Sequence, residues 1–421
     1  MKKLVGEIKK EIDEEKIISI HEHIYPERFI ENYSLENILR DSYLYSDLVS
    51  SGMARDQWEE IVSSEGIDPS PPFASLEEIL KAMKYVRATS YYRALFLGLK
   101  ELYGIERLNE ENFKHWDEIV REKRKNGWEK KVFETSKIKM AFIDNFWSLA
   151  DFEFPELYFK PVFRVDRLVQ TVDPELKNKK GLRAIELAER LGFDISSFQG
   201  YCEMVSEVLA TARKKGVVAV KVALAYYRSL SFPEVSEEVA KRAYEKRDRN
   251  MDMEFSNYMM HFVLKECEEL GFPVLFHTGL HTRNANIVSN SDPKLLNTLF
   301  LKYPSVNFIL LHAGYPFSRE CAVLAKNFPN VFLDVTWLPM VTETGFKNLL
   351  REVLELVPGN KITWGSDSYH VEQMLGHARI FRELLSSVLS EMALEGRLST
   401  DEAIEVGRWI LNENAEEIFL K

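Results

Sequence analysis

Eight short apolar runs, rich in β-branched and aromatic residues, recur along this chain, and most are followed by a stretch of helical periodicity. They are Ile17 to Tyr25, Lys137 to Trp147, Phe159 to Val169, Gly216 to Tyr226, Pro273 to Gly279, Asn307 to Gly314, Val331 to Trp337 and Lys361 to Tyr369. Continuous apolar runs, rather than period-two alternation, suit parallel strands buried on both faces. Between them, Leu182 to Leu191, Phe198 to Lys215 and Met251 to Leu270 have helical spacing. They end at Gly192, Gly216 and Gly271, with Pro273 beyond the last. Such alternation predicts an α/β fold, and eight strands predict a closed (β/α)8 TIM barrel. The rival, a doubly wound open sheet, would carry a G-x-G-x-x-G turn after its first strand, and none is present.

One region departs from the repeat. Residues 26–136 separate the first two strand candidates and contain helical segments at Leu76 to Val86, Tyr91 to Tyr103 and Glu110 to Asn126. A Pro-rich turn spans Asp68 to Pro72. This is too long for a loop. It reads as a helical insertion in the first β-to-α connection, placed to act as a lid over the C-terminal mouth of the barrel. Residues 1–421 are thus expected to form a single barrel domain, with closing helices from Thr400 to Leu420.

The charge balance narrows the partners. Lys+Arg number 55 and Asp+Glu 66, a net charge of −11. That argues against nucleic acid or an anionic membrane, and leaves small anionic substrates open. Cys202, Cys267 and Cys321 lack metal-ligand spacing and are too few for a disulfide framework, so they read as thiols in a reducing compartment. The charged N-terminus has no apolar signal-peptide core, and no apolar run reaches membrane-spanning length. A cytoplasmic location is expected, with assembly into a homo-oligomer left open.

The ends of the strand candidates hold the chemistry. Strand alternation places His21 and His23 on one face and Glu22 on the other, so the two imidazoles can share a metal ion. Lys221 interrupts the fourth run, His277 and His312 end the fifth and sixth, and Asp367 ends the eighth. Each breaks an apolar run, which costs energy unless the group has a partner. Any one of them alone could be a hydrogen-bonded core residue. Together, on five strands, they point to a metal site. Arg164 and Arg228, near the third and fourth strand ends, are candidate clamps for a substrate carboxylate, with a rim salt bridge as the alternative. Tyr226, Asp144 and Trp337 are candidate pocket residues, and Arg283 is a weaker one. His115 and His261 read as surface or packing residues. His281 and His370 lie in loops, and His377 in a later helix.

His-x-His on the first strand, Lys on the fourth, His on the fifth and sixth and Asp on the eighth resemble the amidohydrolase superfamily of metal-dependent barrel enzymes. The stretches FHTG, SDPKLL, LLHAGYPFSRE and FPNVFLDVT resemble the amidohydrolase-like domain found fused to glutamine synthetase. HTRNAN (His281 to Asn286) and the long insertion resemble uronate isomerase. The resemblance implies a divalent metal on His21, His23 and Asp367, with His277 as a further ligand and Zn²⁺ the best match to the donors. It implies Asp367 as general base. His312 would bind a second metal or hydrogen-bond a developing oxyanion. Lys221 would be either a carbamate bridging two metals or an amine holding a substrate anion above one. The leading expectation is a hydrolase for an amide, ester or lactone of a small carboxylated molecule. The alternatives are a mononuclear decarboxylase or uronate-isomerase-like enzyme, and a metal-binding domain without catalysis.

Overall fold

The structure, a computed structural model, describes residues 2–26, 33–53, 55–57, 74–125, 127–154, 157–177 and 182–421. The eight strands are β1 (Ile17–Glu22), β2 (Ile138–Asp144), β3 (Phe159–Arg164), β4 (Ala219–Val222), β5 (Val274–His277), β6 (Phe308–Leu311), β7 (Val331–Asp334) and β8 (Ile362–Thr363). They lie in one sheet in sequential order, and the pairs from β3 to β7 are parallel. The Ile20 amide donates to the Trp364 carbonyl, which joins the first strand to the segment after the last. This is a (β/α)8-like barrel with extra helices after β1. Strands such as β4, β5 and β6 are buried at every position, which explains their unbroken apolar runs.

The strands are shorter than the runs that reveal them. After β3 the chain turns into the helix Asp166–Val169, and the Asp166 carboxylate accepts from the Ala223 amide at 2.8 Å. After β4 it enters the turn Leu224–Tyr226, and after β6 the turn His312–Gly314. Past β8 the segment Gly365–Tyr369 runs irregularly. A Cβ on Gly365 would lie 2.7 Å from the His21 backbone nitrogen, so the chain passes where only glycine fits.

Six helices of the insertion are described: Leu35–Asp41, Leu44–Ser50, Leu76–Val86, Ser90–Tyr103, Glu110–Lys123 and Trp128–Ser136. Ser75 with Glu78, and Asn109 with Asn112, form reciprocal caps that set two of their starts. The Pro-rich turn Asp68 to Pro72 lies outside the described residues.

The chain divides into two compact units. One comprises residues 1–141, 281–286 and 335–416; the other comprises 142–280, 287–334 and 417–421. The first unit contains β1, β8, the insertion and the long helix Val371–Leu394. That helix crosses Ser90–Tyr103 backbone to backbone: a Cβ on Gly376 would lie 1.8 Å from the Ala94 carbonyl. The insertion is also pinned by a buried acid. Glu372 accepts from Tyr103 at 2.6 Å, from the Trp128 indole at 3.1 Å and from Arg124, and it lies 3.3 Å from His370 Nδ1. Burial alone would raise the Glu372 carboxyl. Arg124 and then His370 and Tyr103 outweigh it and hold the group well below the usual carboxylate range. The second unit holds β3 to β7 and the helices Ala184–Leu191, Phe198–Lys214 and Asp252–Leu270. Gly271, at φ 68, ends the last of these.

Candidate metal centre

In the first unit, strand β1 and the segment after β8 bring three metal-type donors together. His21, His23 and Asp367 are buried, and their nearest donor atoms all lie within 4.8 Å of one another. Asp367 Oδ1 is 3.3 Å from His23 Nε2 and 3.7 Å from His21 Nε2. Two imidazoles and one carboxylate suit Zn²⁺, Mn²⁺ or Fe²⁺. Tyr369 stacks on His23 with ring centroids 5.4 Å apart. Tyr43, from the insertion, lies 5.7 Å from Tyr369 and 4.8 Å from Trp337.

Asp367 adopts φ 54, a left-handed conformation that costs a residue with a side chain about 1–3 kcal/mol. Hydrogen bonds hold it there. The Asp367 amide donates to the His21 carbonyl and the His23 amide donates to the Ser368 carbonyl, both at 2.9 Å. Two residues to which the sequence alone assigns no role, Glu22 and His377, also meet here. The Glu22 carboxylate accepts from the Ser366 amide and hydroxyl, the Ser368 amide and the Ser19 hydroxyl. Burial pushes its carboxyl up to about 7 against those hydrogen bonds. His377 Nδ1 lies 2.6 Å from the Ser366 carbonyl, and burial pushes its imidazole down to about 3. The signal for Glu22 was an acid between two candidate ligands in an apolar strand. Its partners Ser366 and Ser368 lie too far away in sequence to be paired with it by inspection.

The other candidates form a second polar group, in the second unit. His277 ends β5 and His312 opens the turn after β6, at φ 66. His277 Nδ1 lies 3.1 Å from His312 Nε2, and His277 Nε2 lies 3.0 Å from the Leu280 carbonyl. Both ring nitrogens of His277 therefore have partners within this unit. Tyr226 packs on His277 at 4.8 Å between ring centroids. Arg164 grips Asp144 with Nε at 3.0 Å and 3.2 Å from the two carboxylate oxygens, and with Nη2 as well. Asp166 is pushed up to about 6 by burial, opposed by Arg164, by the Ala223 amide and by the charge of Lys221. Lys221 is fully buried in β4, level with Arg164 of β3.

Arg228, expected as an anion clamp, has its guanidinium engaged close to its own loop. The turn Leu224–Tyr226 carries it past the strand end. It donates to the Ser229 and Ser231 carbonyls at 3.1 Å and 2.6 Å and to Asn257 Oδ1 at 2.7 Å. His370 caps the helix Val371–Leu394, and His281 is buried in the first unit. His261 bonds Tyr303 and the Phe232 carbonyl, as a packing residue would. Cys202, Cys267 and Cys321 form no disulfide.

Comparison with known proteins agrees with this architecture. Residues 209–420, about half of the chain, match the family described as Amidohydrolase. The chain belongs to the amidohydrolase family. Protein fluG of Emericella nidulans is 34% identical over 149 residues, which cover 35% of this chain and 17% of that protein. The matched stretch thus spans under a fifth of that relative. Uronate isomerase from Thermotoga maritima is 18% identical, covers 99% of this chain and 97% of its own, and superposes with a TM-score of 0.79. Glucuronate isomerase from Caulobacter crescentus is 17% identical, with coverage of 99% and 93% and a TM-score of 0.74. At those identities the likeness establishes the fold. Family and donor group together make this a metal-associated enzyme of the amidohydrolase family. Among the described residues, no helix is long and apolar enough to cross a membrane.

Proposed function

We propose that this protein is a mononuclear metal-dependent isomerase acting on a small hydroxylated carboxylate of the uronate type. The observation that carries this reading is the three-donor group His21, His23 and Asp367, where two histidines and a carboxylate leave coordination positions for substrate oxygens. The engagement of both His277 nitrogens within the second unit favours one metal over two. The fold shared over nearly the full length with uronate and glucuronate isomerases supports the substrate class. His21, His23 and Asp367 would hold the ion, which supplies Lewis-acid polarisation of a substrate carbonyl or hydroxyl oxygen when bound.

The chain's own residues would do the rest. Isomerising a hydroxy aldehyde to a hydroxy ketone moves one hydrogen between neighbouring carbons and one proton between their oxygens, with no external oxidant. Asp367 is the candidate to take and return the proton. His312, hydrogen-bonded to His277, is a candidate donor to the developing oxyanion. Lys221, without a carbamate, and Arg164 are candidates to hold the substrate carboxylate. Hydrolysis of an amide, ester or lactone is the second reading, favoured by the family match over residues 209–420.

The test is turnover of glucuronate and galacturonate by metal-loaded protein in D2O, followed by NMR. The expected result is ketose formation at a rate that depends on added metal. Hydrolysis of amides or lactones with no change in the uronates would overturn the isomerase reading and leave hydrolysis.

A further inference from the structure

The acid between the two ligand histidines faces away from them. Alternation along β1 turns Glu22 to the opposite side of the strand, so its carboxylate is not one of the three donors. It is fully buried, and its contacts bracket Asp367 on both sides. On one side the Ser366 hydroxyl lies 2.6 Å and 2.7 Å from its two oxygens, and the Ser366 amide donates at 3.2 Å. On the other, the Ser368 amide donates at 2.8 Å. The Ser19 hydroxyl completes the set from the same strand. Glu22 shares its backbone with both histidine ligands, and the His21 carbonyl and His23 amide bond the same segment. One carboxylate therefore ties the strand that carries two ligands to the turn that carries the third.

We propose that Glu22 is a positioning residue for the metal group: its carboxylate clamps the Ser366–Asp367–Ser368 turn and so presents Asp367 to His21 and His23. This rests on reading those three residues as the ligands. The surrounding donors explain why a carboxylate is needed. Two backbone N–H groups and two hydroxyls point at it, and an amide in its place would turn an NH2 toward at least one of them. His377, bonded to the Ser366 carbonyl, braces the turn from the helix behind it. Residues that hold ligands in this way tune metal affinity without touching the ion.

The experiment measures Zn²⁺ affinity of the full chain by competition with a chromophoric chelator, for wild type, Glu22→Gln and His21→Ala, alongside the melting temperature of each metal-free protein. The account predicts that Glu22→Gln weakens Zn²⁺ binding by about 10- to 100-fold while His21→Ala abolishes tight binding. Should Glu22→Gln fail to fold, Ser366→Ala is read in the same way. It deletes one hydroxyl donor to the carboxylate and should weaken binding in the same direction. A merely structural Glu22 would lower the metal-free melting temperature and leave Zn²⁺ affinity at the wild-type value. That result, with His21→Ala still defective, would overturn the clamp and leave the metal centre standing. A wild-type protein without tight Zn²⁺ binding, or a His21→Ala variant that binds as wild type does, would overturn the ligand assignment and the clamp with it.

Discussion

His21, His23 and Asp367 in one unit, and His277 and His312 in the other, are both polar groups at strand ends, yet they are built differently. In the first group the donor atoms converge on a common point, and the backbone of every member is tied to its neighbours. In the second the two imidazoles are hydrogen-bonded to each other, and His277 also contacts a carbonyl. Each group contains a side-chain-bearing residue at positive φ, Asp367 at 54 and His312 at 66. Around Asp367 that strain is held by the buried carboxylate of Glu22. Around His312 it is held by ordinary turn contacts, such as the Tyr315 amide on the His312 carbonyl at 3.2 Å. Convergent donors with a rigid support suit a metal ion. The linked imidazole pair beside Tyr226 is the group proposed above to handle protons.

The sharpest way to break this contrast is Asp367→Asn. It should reduce turnover by about a hundredfold to ten-thousandfold and weaken metal binding, because it alters both a ligand and the candidate base. Full activity with metal still bound would remove Asp367 from both roles. Next is Glu372→Gln, which strips the insertion of the acid that pairs with Arg124. Breaking a buried pair should cost about 3–5 kcal/mol in denaturant unfolding. The pH dependence has a fixed sign. The native carboxyl is held below its ordinary 4.5, so its stabilisation is complete above that value and fades as pH falls below it. The variant should therefore show a flatter acid limb, and an unchanged limb would assign the acid sensitivity elsewhere.

His312→Asn should reduce turnover by about a hundredfold with metal content intact, which separates the second group from the first. Loss of metal in that variant would merge them. Smallest is Arg228→Met. Its loop carbonyls and Asn257 would lose their donor, so stability should fall by about 1–3 kcal/mol with KM unchanged. A large rise in KM would return Arg228 to the substrate.

Much of this is legible in the sequence for definite reasons. Buried parallel strands leave continuous apolar runs, so β5 and β6 stand out. Strand ends do not: Asp166, after β3, bonds the distant Ala223 amide, and His312, after β6, turns the chain at positive φ, and neither leaves an apolar signature. The converging donors are legible because His21, His23 and Asp367 interrupt apolar runs. The supports are not. Glu372 looks like any acid in the first turn of a helix until Arg124 and Trp128 arrive from the insertion. Glu22 needs Ser366 and Ser368 from the far end of the chain before it has any role.

The central claim is a single metal ion held by His21, His23 and Asp367. Metal content per chain by elemental analysis, in wild type and His277→Ala purified with bicarbonate present, tests it most directly. The account predicts one ion per chain in both proteins. Two ions in the wild type, or loss of metal in His277→Ala, would contradict it and bring His277 into the ligand set.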